Sequence, residues 1–182
     1  MRTLKHYIFT DLKQIVGGGT TIIDCLKWYF IPKGECFPFM VWFRIVWMLK
    51  HSKSKYKKVL LAPAYLIFRH FEFKYGIHIN TNIDVGEGLH VVHGDGVYLN
   101  AQSIGNNVKV YQGVTVGEGA NGGIPTIKDN VTLYTNSVIV GAIELNAFSV
   151  VGANAFVNKT VNTCEIVAGI PAKVIGTSIA SD

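Results

Sequence analysis

The chain has 182 residues, of which 49% are hydrophobic and 16% charged. That length and composition suit one domain with an appendage and exclude a disordered chain. The net charge of +5 fits anionic partners such as phosphorylated cofactors, acidic glycans, anionic lipid or nucleic acid, and selects none of them.

Cys25, Cys36 and Cys164 are odd in number and contain no CxxC pair, so neither a disulfide framework nor a zinc site is expected. A reduced, cytoplasmic setting follows. The first residues, MRTLKHYIFTDLKQ, have neither the apolar core nor the small-residue cleavage site of a signal peptide.

Residues 1–75 read as a helical region. Apolar residues recur at three- and four-residue spacing, as in Val41, Ile45, Met48 and Leu49. Breaks are expected at GGG (17–19), at IPKGECFP (31–38) and near Pro63. The apolar stretches 37–49 and 59–68 are short for a bilayer span, and the first carries Arg44. Between them lies the lysine-rich KHSKSKYKK. A buried helix pair with a solvated basic turn explains this pattern. Peripheral contact of the same helices with an anionic membrane face is the alternative.

From Ile79 the period changes to six. Ile79, Val85, Val91 and Val97 are followed, after one inserted residue, by Ile104, Val110 and Val116. After a longer interruption come Ile127, Leu133, Ile139, Leu145, Val151 and Val157. Every one of these positions is Ile, Leu or Val. A six-residue period fits neither an amphipathic helix nor an alternating strand. It fits a chain coiling as a triangular prism, six residues to a side, with the aliphatic residue pointing inward and rungs stacked by parallel β-pairing. The thirteen repeats predict four to five turns over residues 76–182.

These repeats resemble those of the hexapeptide-repeat acyltransferases. The resemblance implies a left-handed parallel β-helix preceded by helices. FMVWFRIVWMLK followed by YGIHINTNIDVGEGLHVVHGDGVYL resembles the serine acetyltransferase branch, and AGIPAKVIG (168–176) resembles its terminal cap. The short chain looks most like members that O-acetylate sugars of capsule or O-antigen.

Acyl transfer from a thioester to a hydroxyl needs a base, oxyanion donors and two substrates held together. In VVHGDGVYL, His93 matches the catalytic histidine of the resembled enzymes, and is expected to be the general base. His90 receives no role and is expected on a coil face. Asp95 is expected to cap its own turn. His78 stands where the serine enzymes carry an aspartate that orients the imidazole. It is a candidate partner for His93 across adjacent rungs, with packing at the domain junction as the alternative and Glu118 as a substitute orienting carboxylate. Val92, Gly123 and Ile124 replace charged residues that hold the serine zwitterion in the resembled enzymes. That departure argues for a sugar acceptor.

The interruption GEGANGGIPT breaks the period and is expected to protrude as a substrate loop, with the N–H near Gly117 as an oxyanion donor and Glu118 beside it. The resemblance implies a homotrimer that binds acetyl-CoA between subunits. Thr135, Ala153 and Gly169 match positions that line the pantetheine, and Lys173 is placed to meet a CoA phosphate. No metal motif, nucleic-acid motif, dinucleotide fingerprint or P-loop is present. The sequence therefore predicts an acetyl-CoA-dependent O-acetyltransferase acting on a surface-polysaccharide sugar. Serine O-acetylation is the alternative, and a non-catalytic carbohydrate-binding or scaffold module the second.

Overall fold

A computed structural model describes residues 2–18, 20–30 and 36–179. Five helices come first: α1 (Leu4–Val16), α2 (Ile22–Phe30), α3 (Phe37–Lys50), α4 (Lys55–Val59) and α5 (Leu61–Tyr75). The break expected at 17–19 is seen at Gly17, which ends α1 in a left-handed conformation (φ 72), and Gly19 lies outside the described residues. Of the break expected at 31–38, residues 31–35 lie outside the described residues and α3 begins at Phe37. The break expected near Pro63 falls at Leu60 instead. Pro63 sits in the first turn of α5, where a backbone N–H has no intrahelical acceptor to lose.

From Ile77 the chain winds into three parallel sheets, one per side of a prism. The first side stacks β1 (Ile77–Ile79), β4 (Val97–Leu99), β7 (Thr115–Gly117), β10 (Val138–Val140) and β13 (Phe156–Val157). The second stacks β2 (Asp84–Val85), β5 (Ser103–Ile104), β8 (Thr126–Ile127) and β11 (Glu144–Leu145), extended by a bridge from Leu145 to Val161. The third stacks β3 (His90–Val91), β6 (Lys109–Val110), β9 (Thr132–Leu133), β12 (Val150–Val151) and β14 (Glu165–Ala168), and antiparallel β15 (Lys173–Thr177) closes it. The result is the expected mainly β parallel solenoid, of about five turns, preceded by helices.

All thirteen repeat positions are buried. A second inward row, including Val108, Val114, Ser137, Ser149 and Ala155, is buried with them. Aliphatic side chains stacked one rung apart remove each other from water and leave little void, and that burial is the main stabilising term of the domain.

One step of the six-residue count is corrected. Ile79 pairs along the stack with Leu99, not with Val97, whose partner is Ile77. Eight residues separate Val91 from Leu99, whereas six separate Val110 from Val116. The first corner between the third and first sides is thus two residues longer than those above it, and it holds the segment His93-Gly94-Asp95. Because both Val97 and Leu99 point inward, periodicity alone had no means of choosing between them.

The helices cap the first turn. Arg44 of α3 is fully buried and makes a forked ion pair with Asp11 of α1, with Nε at 2.7 Å and Nη2 at 2.9 Å. The same guanidinium donates to the carbonyl oxygens of Val85 (3.1 Å) and Gly86 (2.6 Å), while the Leu89 N–H donates to Asp11. Tyr7 lies over the guanidinium, 4.8 Å from ring centre to Cζ. Burial pushes the Asp11 carboxyl above its ordinary range, and the Arg44 charge pulls it back. Trp47 adds a bond from Nε1 to the Ile83 carbonyl. Two helices and one rung are therefore tied at a single buried cation.

Replacing Asp11 with alanine strands that cation, and we expect a loss of about 3–5 kcal/mol in urea unfolding. The paired replacement Asp11→Leu/Arg44→Met is expected to recover most of it, because no charge is then left buried. Leu133→Ala, at the middle of the stack, should cost about 2–5 kcal/mol in the same measurement.

Candidate active site

His93 follows β3, at the long corner, and its side chain is exposed. The corner is held from both sides by backbone bonds. The Asp95 N–H donates to the Tyr75 carbonyl at 2.7 Å, and the Gly113 N–H donates to the Asp95 carbonyl at 3.1 Å. Gly94 is required here: a Cβ at that position would overlap the Tyr75 carbonyl oxygen. Asp95 has φ 64, which a short polar side chain tolerates. The segment is thus clamped between the end of α5 and the next rung, with the imidazole projecting outward.

Beside it opens a cavity of about 420 Å³ lined by Cys36, Lys74, Tyr75, His93, Asp95 and Gln112. It brings together a cation, a carboxylate, an imidazole, a phenol and an amide. Burial holds the Tyr75 phenol above its ordinary range, so it stays protonated as a donor. The Gln112 side-chain oxygen is buried and has no hydrogen-bond partner among the described residues. A buried acceptor left unmatched is costly.

The same edge of the prism carries the residues expected to hold the acyl donor. Above the His93 corner lies Gln112, whose carbonyl accepts from Asn136 N–H (3.0 Å). The Thr135 carbonyl accepts from Asn154 N–H (2.9 Å), and the Gly169 carbonyl from Phe156 N–H (3.0 Å). Thr135, Ala153 and Gly169 therefore follow His93 up one column of corners. Lys173 lies opposite Ala168 at the column's far end and is exposed. Tyr111 and Tyr134, stacked with ring centres 5.0 Å apart, border the column.

The other expected residues lie elsewhere. Gly117 ends β7, so it and Glu118 stand at the opposite edge of the first side from His93. Within one protomer Glu118 therefore does not orient the imidazole. The loop closes on itself: Gly122 N–H donates to the Gly119 carbonyl at 2.9 Å, and Gly119 N–H to the Gly123 carbonyl at 3.2 Å. A Cβ at Gly123 would press on Ala142 at 2.6 Å.

His78 is likewise engaged away from His93. Its Nδ1 lies 2.6 Å from Glu72, a buried carboxylate of α5 that also holds Arg69. Its ring stacks on Tyr98, one rung up, with centres 4.9 Å apart and planes 10° from parallel. His78 lines a second, polar cavity with Lys50, Tyr65, Asn80 and Asn100, not the one that holds His93. His90, expected on an exposed face, is buried under α1. Lys74, Gln112, Tyr111 and Tyr134 carried no motif; the one sequence signal for Gln112 is that it falls one rung after the His93 corner, and Lys74, in the last turn of α5, had none.

A triangular prism of hexapeptide rungs, with an exposed corner histidine beside a polar cavity, defines the class as a hexapeptide-repeat β-solenoid. No protein-family model matches the chain. A serine acetyltransferase of Staphylococcus xylosus is 37% identical over 136 residues, which cover 71% of this chain and 62% of that protein. The chain thus spans less than two thirds of the length of the curated relatives it matches. A crystal structure of Neisseria gonorrhoeae serine acetyltransferase in complex with serine has a TM-score of 0.73 and 27% identity, covering 93% of this chain and 68% of that one. One of Brucella abortus serine acetyltransferase in complex with coenzyme A has a TM-score of 0.72 at 21% identity, covering 97% and 69%, and shows the likeness of fold.

These likenesses overturn the expected polysaccharide sugar acceptor and leave the capsule or O-antigen branch without support. The case for a sugar rested on charges missing at Val92, Gly123 and Ile124. The structure supplies a cation and a carboxylate to the His93 cavity from other positions, Lys74 and Asp95.

Gly94→Ala is expected to cost about 1–3 kcal/mol in thermal or urea unfolding, since the backbone of the corner must shift. Gly117→Ala meets nothing within 4 Å and should stay within about 0.5 kcal/mol of the parent.

Proposed function

We propose that this chain is an acetyl-CoA-dependent serine O-acetyltransferase with His93 as its general base. The observation that carries this reading is the His93 cavity, where Lys74 and Asp95 give a zwitterionic amino acid one partner of each sign. The 37% identity to a serine acetyltransferase supports it.

In this reading the serine carboxylate meets the Lys74 ammonium. The serine ammonium donates to Asp95. These contacts orient the serine hydroxyl toward the imidazole, which converts a chance encounter into a positioned one. As the serine oxygen bonds to the acetyl carbonyl carbon, His93 takes its proton. The tetrahedral intermediate collapses by breaking the carbon–sulfur bond. The imidazolium then returns the proton to the departing thiolate, so coenzyme A and O-acetylserine leave with no net change at the enzyme.

Coenzyme A is assigned to the corner column. Thr135, Ala153 and Gly169 offer small side chains and backbone groups along its length, and Lys173 offers a point charge for a phosphate. Gly117 N–H and the loop at Glu118 stand at the other edge of the first side. They complete the site only across a protomer boundary, which supports the homotrimer. Glu118 is given the role of a wall to the acceptor site in that assembly. His78, held by Glu72 and Tyr98, is assigned to shaping the base of the first side and not to the acetyl transfer.

The test is thiol release from acetyl-CoA with L-serine as acceptor. His93→Ala should lower kcat by about 10²–10⁴-fold while coenzyme A binding, followed by calorimetry, is retained. Lys74→Met and Asp95→Asn should each raise the KM for serine by about tenfold or more, with less effect on kcat. Coenzyme A binding with no thiol release in the unmutated protein would overturn the proposal in favour of a binding module.

A further inference from the structure

Helix α5 is apolar on both faces. Its inner face, with Ala64 and Phe68, packs into the core against α3. Its outer side should be polar for a helix that faces water. Instead Val59, Leu66 and Phe73 are 76%, 73% and 74% exposed, with Leu60, Pro63 and Ile67 exposed among them. Val59, Pro63, Leu66 and Phe73 lie along one line of α4 and α5 at three-, four- and seven-residue steps, with the exposed His70 between Leu66 and Phe73. An exposed apolar stripe of this size marks a surface that is covered in use.

The charge beside it says by what. Residues 50–58, KHSKSKYKK, hold five lysines and no acid. Lys57 and Lys58 are exposed and immediately precede Val59 and Leu60. Over 55–75 the one acid is Glu72, which is buried and already bonded to Arg69 and His78. Two copies joined through this face would crowd their lysines together with no carboxylate between them. An anionic bilayer instead satisfies both features, with lysines at the headgroups and the stripe at the acyl boundary. A largely apolar groove of about 520 Å³, lined by Ile45, Met48, Leu49, Leu60, Lys57 and Arg2, opens at the same end and continues the surface. Among the described residues no helix is long and apolar enough to cross a membrane, so the geometry is that of a helix lying on the surface.

We infer that α4 and the outer face of α5 form a docking surface for an anionic membrane. The inference is independent of the acetyl-transfer reading. It is tested with the full chain and sedimented vesicles of phosphatidylcholine, either pure or with one third phosphatidylglycerol. Binding is expected on the anionic vesicles and not on the neutral ones, and is expected to weaken in high salt. Each lysine near such a surface contributes about fivefold in affinity, so Lys57→Glu/Lys58→Glu should lose at least about 25-fold. Leu66→Ser/Phe73→Ser should also release the protein. Both pairs are exposed, and circular dichroism checks that they remain folded. Equal binding to both vesicle types, or binding unchanged in either double variant, overturns the inference. So does absence of vesicle binding together with self-association that Leu66→Ser/Phe73→Ser abolishes, because a second copy would then cover the stripe.

Discussion

The constraint on which this structure depends is the stacking of rungs at β-sheet spacing. Each backbone N–H on one turn must meet a carbonyl on the next, and each inward side chain must sit on the one below it. That requirement is why the interior is an unbroken file of aliphatic residues. It also means that extra residues have one place to go, the corners. The chain uses this twice, in the long corner at His93-Gly94-Asp95 and in the loop at 118–125. The two departures from the period are also the two places to which we assign chemistry.

A stacked prism has a further consequence. Residues at equivalent corners of successive turns line up, whatever their separation in sequence. His93, Gln112, Thr135, Ala153 and Gly169 share one edge because each turn returns the chain to it. An elongated ligand can then lie along a rigid edge of backbone groups, and the imidazole at its foot is held by a clamped corner, not by a mobile loop. The helical cap completes this foot. Tyr75 supplies the carbonyl on which the corner rests, and Lys74 supplies the cation beside it. Arg44 and Asp11 in turn fix α1 and α3 to the first turn, so the base of the column is set by a buried ion pair as well as by packing.

Much of this was legible in the residues. The file of Ile, Leu and Val at six-residue steps pointed to the prism, its sides and its inward face, and the resemblance, through the Gly-containing turn, singled out His93. Where the period was ambiguous, the reading slipped. Val97 and Leu99 are both buried, and only the pairing of Ile79 with Leu99 located the longer corner. The acceptor was misread for a similar reason. Charges were sought at Val92, Gly123 and Ile124, along the chain near His93 or in the loop. Those that line the cavity come instead from the last turn of α5 and from the corner itself. The resemblance made His78 a candidate partner for His93, with packing at the domain junction as the alternative; in space it lies with Glu72 and Tyr98.

The sequence by itself determined the solenoid, because a period of six apolar positions has one way to bury them all. It also placed His93 in a Gly-containing turn, which is a local feature, while its role as a base came only from what the resemblance implies. Only the tertiary structure decided which side chains share its cavity, that Gly117 and Glu118 lie across the first side from it, and which face of α5 is left without cover. Those are relations between residues far apart along the chain. They are fixed by corner lengths and by helix packing on the first turn, neither of which leaves a periodic trace in the residues.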